Sequence, residues 1–439
     1  MKELAAILPL MKQWMEAMHQ EPELSTQEVN TGKYVADLLK NMGYEVHEHV
    51  GKHGIEGVVG VLRHGDGEKK IGIRADMDAL PIQEINHLPY KSRHDGISHL
   101  CGHDGHSAMA LGAAKYLADT KHFNGTVYFY FQPAEETMQG GPSMIDDGLF
   151  KKFNADRIYA IHNIPGLPKG VLHFHDGETM SAVDNWEIRL MGRGGHGSMP
   201  ELSIDPVVAG ASLVMALQTI VARNLSPWNN GVVTIGSFQA GNAGNVIPDE
   251  AVLKLSMRNM QPDGRKLVLQ RIREITSAQA ECFGCKYEIK EEQPGAVLVN
   301  SHEETAFAAE VARKYFGEEN VVYPCKPLMS SEDFAFMLQE RPGSYIMLGN
   351  GETPMVHNPK YIFDQEILPI GASLWVALCE EYLKAGSINY HRIIVSKFYE
   401  IRFVTFWILF GSKYKFAQSC SPLHSFAHLH FDLKNKSKI

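Results

Sequence analysis

Two short segments carry most of the side chains that could perform chemistry. The run from Cys101 to His106 sets a thiol and imidazoles one or two residues apart, where they can point at one ion. The pair Glu135-Glu136 follows an apolar run that ends at Phe131. Thiolate, imidazole and carboxylate are ligands of divalent metal ions, and a spare carboxylate can act as a general base. Together the segments are typical of a hydrolase that uses a metal-activated water.

The candidate ligands share a position relative to the predicted strands. Strands are expected to end at Arg74, Phe131 and Ile161, with another at 345–348. The ionisable side chains beyond these strands are Asp76 and Asp78, Glu135 and Glu136, His162, and His357. Because ligands of open α/β sheets bind at the carboxyl ends of the strands, we expect these side chains to meet at one edge of the sheet.

The ligand types indicate more than one metal ion. Five side chains exceed a single tetrahedral site, which suggests two ions with Cys101 as the shared thiolate. Soft, borderline and hard ligands together favour zinc, manganese or cobalt. The five candidate ligands are Cys101, His103, Glu136, His162 and His357.

The two adjacent glutamates are expected to have different roles. Neighbouring side chains on an extended segment point opposite ways. This predicts that Glu136 binds metal while Glu135 faces the substrate, takes a proton from water and hands it to a leaving amine. Asp78 is expected to orient a ligand histidine. His106 is interpreted as a packing residue, and His19 as a surface residue.

The element pattern predicts an α/β fold with an insertion. Strands that alternate with helices indicate a largely parallel central sheet, and runs at 58–62 and 70–74 look like paired strands around a turn. From about residue 184 the order becomes βαββαβ, the ferredoxin-like unit. We therefore predict a split catalytic domain, a lid or dimerisation domain inserted in it, and a separate tail. The predicted bounds are 1–183 with 292–386, 184–291, and 387–439.

Two Gly-rich loops in the predicted insert contain candidate residues. The loop at 193–200 contains His196, and the loop at 240–248 contains Asn245. Each is either a flexible turn or a functional lid. As a lid, the first would bring a donor to an oxyanion, and the amides of the second would bind a substrate carboxylate.

Composition excludes several classes of protein. The 439 residues carry a net charge of −9, which argues against a nucleic-acid surface. No apolar run is expected to approach the ~20 residues of a membrane helix, and the N-terminus lacks an uninterrupted signal-peptide core. The six cysteines have no disulfide-framework spacing. We therefore expect a cytoplasmic protein with a small-molecule substrate.

The segment 387–439 differs from the rest of the chain. Its charge is +6, against −15 over the first 386 residues, and it contains seven of the 20 phenylalanines. It could be a basic and aromatic anchor for a membrane or a partner. It shows neither helical periodicity nor strand alternation, which favours translated sequence that was never selected to fold. We predict that it is not part of the fold.

These motifs resemble the M20 metallopeptidase family, in its amidohydrolase branch of hippurate and indole-acetyl-amino-acid hydrolases. The matching stretches keep the family's order across most of the first 386 residues. They are Arg74-Ala-Asp-Met-Asp-Ala-Leu-Pro81, Cys101-Gly-His-Asp-Gly-His-Ser107, Gln132-Pro-Ala-Glu-Glu136, His162-Asn-Ile-Pro165, Gly194-Gly-His-Gly-Ser-Met-Pro200, Ser330-Ser-Glu-Asp-Phe334 and His357-Asn-Pro359.

The resemblance implies roles that agree with the analysis of the residues. It implies that the five candidate ligands bind two divalent ions with Cys101 as the bridge, and that Glu135 is the general base and acid. It also implies that His196 steadies the tetrahedral intermediate and that Asn245 lies near the substrate carboxylate. A homodimer through the inserted domain is implied as well. Asp76 is not carried over as a ligand.

The sequence thus predicts metal-dependent hydrolysis of N-acyl amino acids, hippurate-like or N-acetylated, to a carboxylic acid and a free amino acid. Two alternatives keep the same chemistry: N-acetyl-diaminopimelate deacetylation and dipeptide cleavage. A third, of another class, is a non-catalytic metal-binding or peptide-binding protein. Glu135 argues against the third, because a binding protein has no need of a spare carboxylate.

Overall fold

Helices and strands alternate along the chain, and a computed structural model describes them for residues 2–292 and 295–384. The predicted tail, 387–439, lies outside the described residues. The helices are α1 (Lys2–Gln20), α2 (Val29–Asn41), α3 (His103–Thr120), α4 (Gly140–Asp146), α5 (Leu149–Lys152), α6 (Pro206–Thr219), α7 (Pro262–Cys282), α8 (His302–Phe316), α9 (Phe334–Glu340) and α10 (Leu368–Tyr382). The strands are β1 (Glu45–Lys52), β2 (Ile55–His64), β3 (Lys70–Asp76), β4 (Gly125–Gln132), β5 (Arg157–Pro165), β6 (Leu172–His173), β7 (Gly177–Met180), β8 (Ala182–Met191), β9 (Gly195–His196), β10 (Gly231–Ala240), β11 (Val246–Ile247), β12 (Glu250–Asn259), β13 (Lys286–Glu292), β14 (Leu298–Asn300), β15 (Val321–Val322) and β16 (Gly343–Gly351).

The large sheet has eight strands in the order β1-β2-β4-β3-β5-β16-β6-β15. Four of its seven neighbouring pairs are parallel, so the predicted α/β fold with a mostly parallel sheet is confirmed. The predicted pairing of the strands at 58–62 and 70–74 is wrong. Strand β4 lies between them, antiparallel to β2 and parallel to β3, because α3 crosses from β3 to its parallel neighbour.

Helix α3 lies at the centre of the main core. Most of its residues are buried, and it packs between α1, α10 and the sheet. Small residues permit this close packing: a Cβ on Gly112 would lie 2.2 Å from the sulfur of Met11. The side chains at the first turn of α3 are thereby fixed against several elements at once, which holds the candidate ligand His103 at a rigid position.

A second sheet has four antiparallel strands in the order β10-β12-β8-β13. Apart from the two-residue strands β9 and β11 and two short helical turns, the elements between Ala182 and Glu292 follow one another in the order β8, α6, β10, β12, α7 and β13. Their apolar side chains form a hydrophobic cluster separate from that of the large sheet, with Trp186, Leu253 and Ile272 among its buried members. The segment therefore has its own core.

Helix α6 continues into a π-helical turn, Ile220–Asn224. The continuous stretch Pro206–Asn224 is, by length and composition alone, apolar enough to cross a membrane. The expectation that no run approaches that length is therefore wrong. One such helix is weak evidence for a membrane span, and Ala209, Leu213 and Leu217 of this helix are buried in the cluster of the second sheet.

Candidate metal centre and active site

The candidate ligands Cys101 and His103 flank a glycine that no other residue could replace. Gly102 has a left-handed φ of +95°, a region that favours glycine. A Cβ at Gly102 would lie 2.2 Å from the side-chain oxygen of Asn163 and 2.7 Å from the hydroxyl of Tyr361. This close approach lets the segment before α3 reach the carboxyl end of β5.

The five predicted ligands lie together at the carboxyl edge of the sheet. Two groups of three side chains each have ligand atoms within 4.8 Å of one another, and the Cys101 sulfur lies 3.3 Å from Nε2 of His162. Cys101 belongs to both groups. The first group is Cys101, His103 and His162, and the second is Cys101, Glu136 and His357.

Two of the imidazoles are oriented by acceptors on their Nδ1 atoms. His103 donates from Nδ1 to the backbone oxygen of Asp78 at 2.9 Å, with the Asp78 carboxylate at 3.1 Å. His162 donates to the backbone oxygen of Asn163 at 2.7 Å. Donation from Nδ1 leaves the Nε2 lone pair of the neutral ring free for a metal ion.

Two buried atoms of the cluster have no hydrogen-bond partner among the described residues. They are Nε2 of His103 and Oε1 of Glu136, the latter lying 3.2 Å from Nε2 of His357 without the geometry of a hydrogen bond. An unpaired buried polar atom costs about 1–3 kcal/mol of stability. A divalent cation would satisfy both atoms, so the residues present fit a metal ion.

The expectation that Glu135 and Glu136 point opposite ways is wrong. Strand β4 ends at Gln132, and the chain turns at Ala134, whose φ is +51°. Both carboxylates consequently approach Nε2 of His103, at 3.8 Å for Glu135 and 3.9 Å for Glu136. Their other neighbours differ. Oε1 of Glu136 lies 3.2 Å from Nε2 of His357, whereas Glu135 is not part of the group formed by Cys101, Glu136 and His357.

Glu135 faces two further carboxylates that the sequence did not assign to the site. Glu135, Glu332 and Asp333 have oxygens within 4.8 Å of one another. Burial, followed by the charge of Glu332, raises the pKa of Glu135 well above its ordinary value. A carboxylate held in this way is a stronger base than an exposed one.

The electrostatics of the ligands reflect a surplus of acids. Burial and then the charges of Glu136 and Glu135 raise the pKa of the Cys101 thiol well above its ordinary value. Burial alone would lower the pKa of His103, but the nearby Asp76 and Asp78 raise it to about 10. Bound cations would oppose both shifts, because they favour thiolate and neutral imidazole.

A buried arginine compensates part of this negative charge. Arg74 donates to Asp76 at 2.7 Å, to Glu332 at 2.8 Å and to Asp333 at 3.0 Å, and its side chain is 0% exposed. The sequence contained both motifs but gave no sign of this contact, because 258 residues separate Arg74 from Glu332.

The two predicted lid residues lie at a separate two-stranded sheet, His196 on β9 and Asn245 in the turn directly before β11. Strand β9 pairs with β11, so that His196 lies opposite Val246, and Gly197 N donates to the backbone oxygen of Asn245 at 2.9 Å. The structure thus brings the two Gly-rich loops together. His196 and Asn245 are exposed, and neither belongs to a ligand group.

Two other histidines differ from their expected roles. His19 is buried rather than exposed, and it bridges Asp104 at 2.8 Å and Glu84 at 3.3 Å. His106 is buried and hydrogen-bonded to Asp76 at 2.7 Å, so it does more than pack. Its spacing of three residues from His103, which puts both on one helix face, was the signal that could have found it.

Comparisons with known proteins agree on one family. A family model described as Peptidase family M20/M25/M40 matches residues 72–381. The chain is 45% identical to hippurate hydrolase of Campylobacter jejuni subsp. jejuni serotype O:2, over 84% of this chain and 95% of that protein. It is 35% identical to N-acetylcysteine deacetylase of Bacillus subtilis, over 82% and 93%.

The fold is also similar to solved structures. The structure of a dinuclear metal-binding peptidase of the M20 family from Bacillus subtilis matches with a TM-score of 0.74 and 30% sequence identity. The match covers 86% of this chain and 99% of that chain. The similarity therefore includes both sheets rather than the large sheet alone.

Proposed function

Because the chain belongs to peptidase family M20/M25/M40, we propose that it hydrolyses the amide bond of N-acyl amino acids to a carboxylic acid and a free amino acid. The observation that carries the proposal is the shared Cys101 between two ligand groups, beside the spare carboxylate of Glu135. The names of the relatives, a hippurate hydrolase and an N-acetylcysteine deacetylase, support an N-acyl substrate.

The five ligands would hold two divalent ions, which we assign to zinc, manganese or cobalt from the donor types. His103 and His162 would belong to one ion, Glu136 and His357 to the other, and Cys101 to both. When bound, such ions lower the pKa of water and polarise an amide carbonyl. Asp78 orients His103 through the hydrogen bond to Nδ1.

Glu135 and His196 would carry out the remaining steps. Glu135 takes a proton from the attacking water on its carboxylate oxygen and returns it to the departing amine nitrogen. His196 accepts a hydrogen bond on Nδ1 from Ser198 N at 3.1 Å, which leaves the proton on Nε2. That N–H would donate to the carbonyl oxygen as it becomes negative, and Asn245 would contact the substrate carboxylate.

The segment 184–291 would act as a ferredoxin-like lid and dimerisation domain inserted in the catalytic domain 1–183 and 292–386. Its apolar side chains support a homodimer, since Val208 and Met215 of α6 are 52% and 71% exposed. The edge strand β10 contains no charged residue, whereas the opposite edge, β13, is mostly charged. Uncharged edges are the ones that can pair with a second copy.

A reducing compartment suits the cysteines. The five cysteines of the described residues are free, and Cys101 would need to stay reduced to bind metal. We therefore assign the protein to the cytoplasm, with a small-molecule substrate and neither a nucleic-acid nor a membrane partner.

The decisive experiment is amine release from N-benzoyl, N-acetyl and indole-acetyl amino acids by protein reconstituted separately with zinc, manganese and cobalt. We expect turnover that depends on the metal. Turnover of dipeptides or N-acetyl-diaminopimelate alone would identify a different substrate for the same chemistry. If protein with two bound ions released no amine from any of these substrates, the proposal would be contradicted and a non-catalytic binding protein would be favoured.

A further inference from the structure

A chain of four buried side chains lies beside the ligand groups and takes no part in the steps above. The Nδ1 atom of His106 donates to Asp76 at 2.7 Å. Its Nε2 atom lies 2.8 Å from the side-chain oxygen of Asn163. The side-chain amide nitrogen of Asn163 donates to the hydroxyl of Tyr361 at 2.6 Å. All four side chains are at most 2% exposed.

Each link of this chain lies in the same segment as a residue of the metal site. Asp76 precedes Asp78 by two residues, and His106 follows His103 by three. Asn163 follows His162 directly, and Tyr361 follows His357 by four. The chain therefore joins the end of β3, the first turn of α3, β5 and the segment beyond β16.

His106 is the central link because it holds the peptide that orients His162. The backbone nitrogen of Asn163 lies 3.1 Å from the same Nε2 atom, so His106 contacts both the side chain and the peptide of Asn163. The backbone oxygen of the same residue accepts from Nδ1 of His162 at 2.7 Å. The rings of His106 and His162 are also in contact, with centroids 4.5 Å apart.

Among the described residues, His106 contacts ligands of the first group and none of the second, and its ligand atom also lies within 4.8 Å of those of Asp76 and His103. Its ring lies against His162 and, with centroids 5.6 Å apart, against His103. The second group is held differently, since the backbone of His357 donates to Leu100 O at 2.8 Å. A loss of His106 should therefore disturb the first group more than the second.

We infer that His106 is a positioning residue for the ion held by Cys101, His103 and His162, although it does not itself contact the ion. The inference rests on the proposed metal site. Partners that orient metal ligands typically contribute a factor of roughly 10–100 in metal affinity. His106 should therefore set the affinity of one ion and leave the other nearly unchanged.

The test is a titration of metal-free protein with cobalt. Calorimetry measures the affinity of each binding step, and the visible and thiolate-to-cobalt absorption bands report the surroundings of the bound ion. His106→Leu removes the hydrogen bonds and keeps an apolar side chain of similar reach. His99→Leu is the matched control, because His99 is buried two residues from Cys101 and has no hydrogen-bond partner among the described residues. Neither measurement requires turnover.

For His106→Leu we expect the cobalt affinity of one of the two binding steps to fall by roughly 10–100-fold, with changed absorption bands. For His99→Leu we expect both affinities to stay within about threefold of wild type. Tyr361→Phe removes only the last hydroxyl of the chain and should weaken the same step by a smaller factor. This variant keeps the test decisive if His106→Leu does not fold.

Three results would overturn the inference: two unchanged binding steps in His106→Leu, equal weakening of both steps, or wild-type protein that binds fewer than two cobalt ions. Failure of the proposed function has a different signature. Wild-type protein that binds two cobalt ions but hydrolyses no N-acyl amino acid would refute the substrate assignment and leave the role of His106 intact.

Discussion

The ligand cluster and the paired Gly-rich loops differ in how completely they are built. In the cluster, His103 and His162 are buried and each is oriented by a hydrogen bond on Nδ1. In the loops, His196 on β9 and Asn245 in the turn before β11 are exposed, and the bond that orients His196 comes from its own loop. The ligand cluster is therefore held in place by its surroundings, whereas the side chains of the Gly-rich loops are exposed.

The difference follows from what each part must do. Metal ligands are effective when they are held at fixed positions before the ion arrives. The substrate must enter before an oxyanion forms. A residue that donates to the oxyanion can therefore lie on a lid that closes after the substrate has bound. The comparison predicts that changes in the cluster affect chemistry and metal content, and that changes in the loops affect chemistry alone.

Glu135→Gln, which changes the carboxylate beside the ligand cluster but none of the predicted ligands, should have the largest effect on turnover. Loss of the proton acceptor should lower kcat by roughly 10³–10⁴-fold, while two metal ions remain bound because Glu136 and the other ligands are intact. The measurements are kcat and metal content by atomic emission. Retained turnover would refute the role of Glu135, and lost metal would show that it is a ligand.

His196→Ala should lower kcat by roughly 10²–10³-fold through the loss of a donor to the oxyanion. The metal content and the thermal midpoint should be those of wild type, because His196 is exposed and outside the ligand groups. His94→Ala, an exposed histidine paired with Glu21, is the control. A reduced metal content in His196→Ala would contradict the separation of loops and cluster.

The contribution of His19 to folding stability should depend on pH, which tests the buried region beside the ligand cluster. Burial alone would lower its pKa, but hydrogen bonds to Asp104 and Glu84 raise it to about 9. Because the folded pKa exceeds the unfolded value of about 6.5, His19 stabilises the fold fully below pH 6.5 and loses this contribution as pH rises through about 9. The contribution is roughly 3 kcal/mol.

Denaturant unfolding of wild type and His19→Leu between pH 6 and 10 would measure this contribution. The difference in unfolding free energy should shrink as pH rises. The other groups that face His19 do not titrate in this window, since burial lowers the pKa of His99 to about 4 and raises that of Tyr90 to about 12. A difference that does not vary with pH would contradict the assignment.

A charge on the uncharged edge strand should have the smallest effect. Thr234→Lys on β10 should weaken a homodimer by about tenfold or more by opposing edge pairing, and Glu288→Lys on the charged β13 edge is the control. Sedimentation at several concentrations would measure both. A wild-type monomer at all concentrations would refute the proposed dimer.

Much of the candidate site could be proposed from the sequence because its predicted ligands lie in short motifs at strand ends. The neighbours of those ligands could not. The direction of Glu135 depends on the turn at Ala134, and local alternation suggested the opposite. The contact of Arg74 with Glu332 joins residues 258 positions apart, for which one sequence gives no signal.

The candidate ligand types, the main alternation of strands and helices, and the family with its chemistry could be inferred from the sequence alone. The tertiary structure was needed to establish which strands are neighbours, with β4 between β2 and β3, and which polar groups share the buried space around the candidate ligands. The reason is physical: ligand type is a property of one residue, whereas burial, orientation and charge balance depend on segments that meet only when the chain folds.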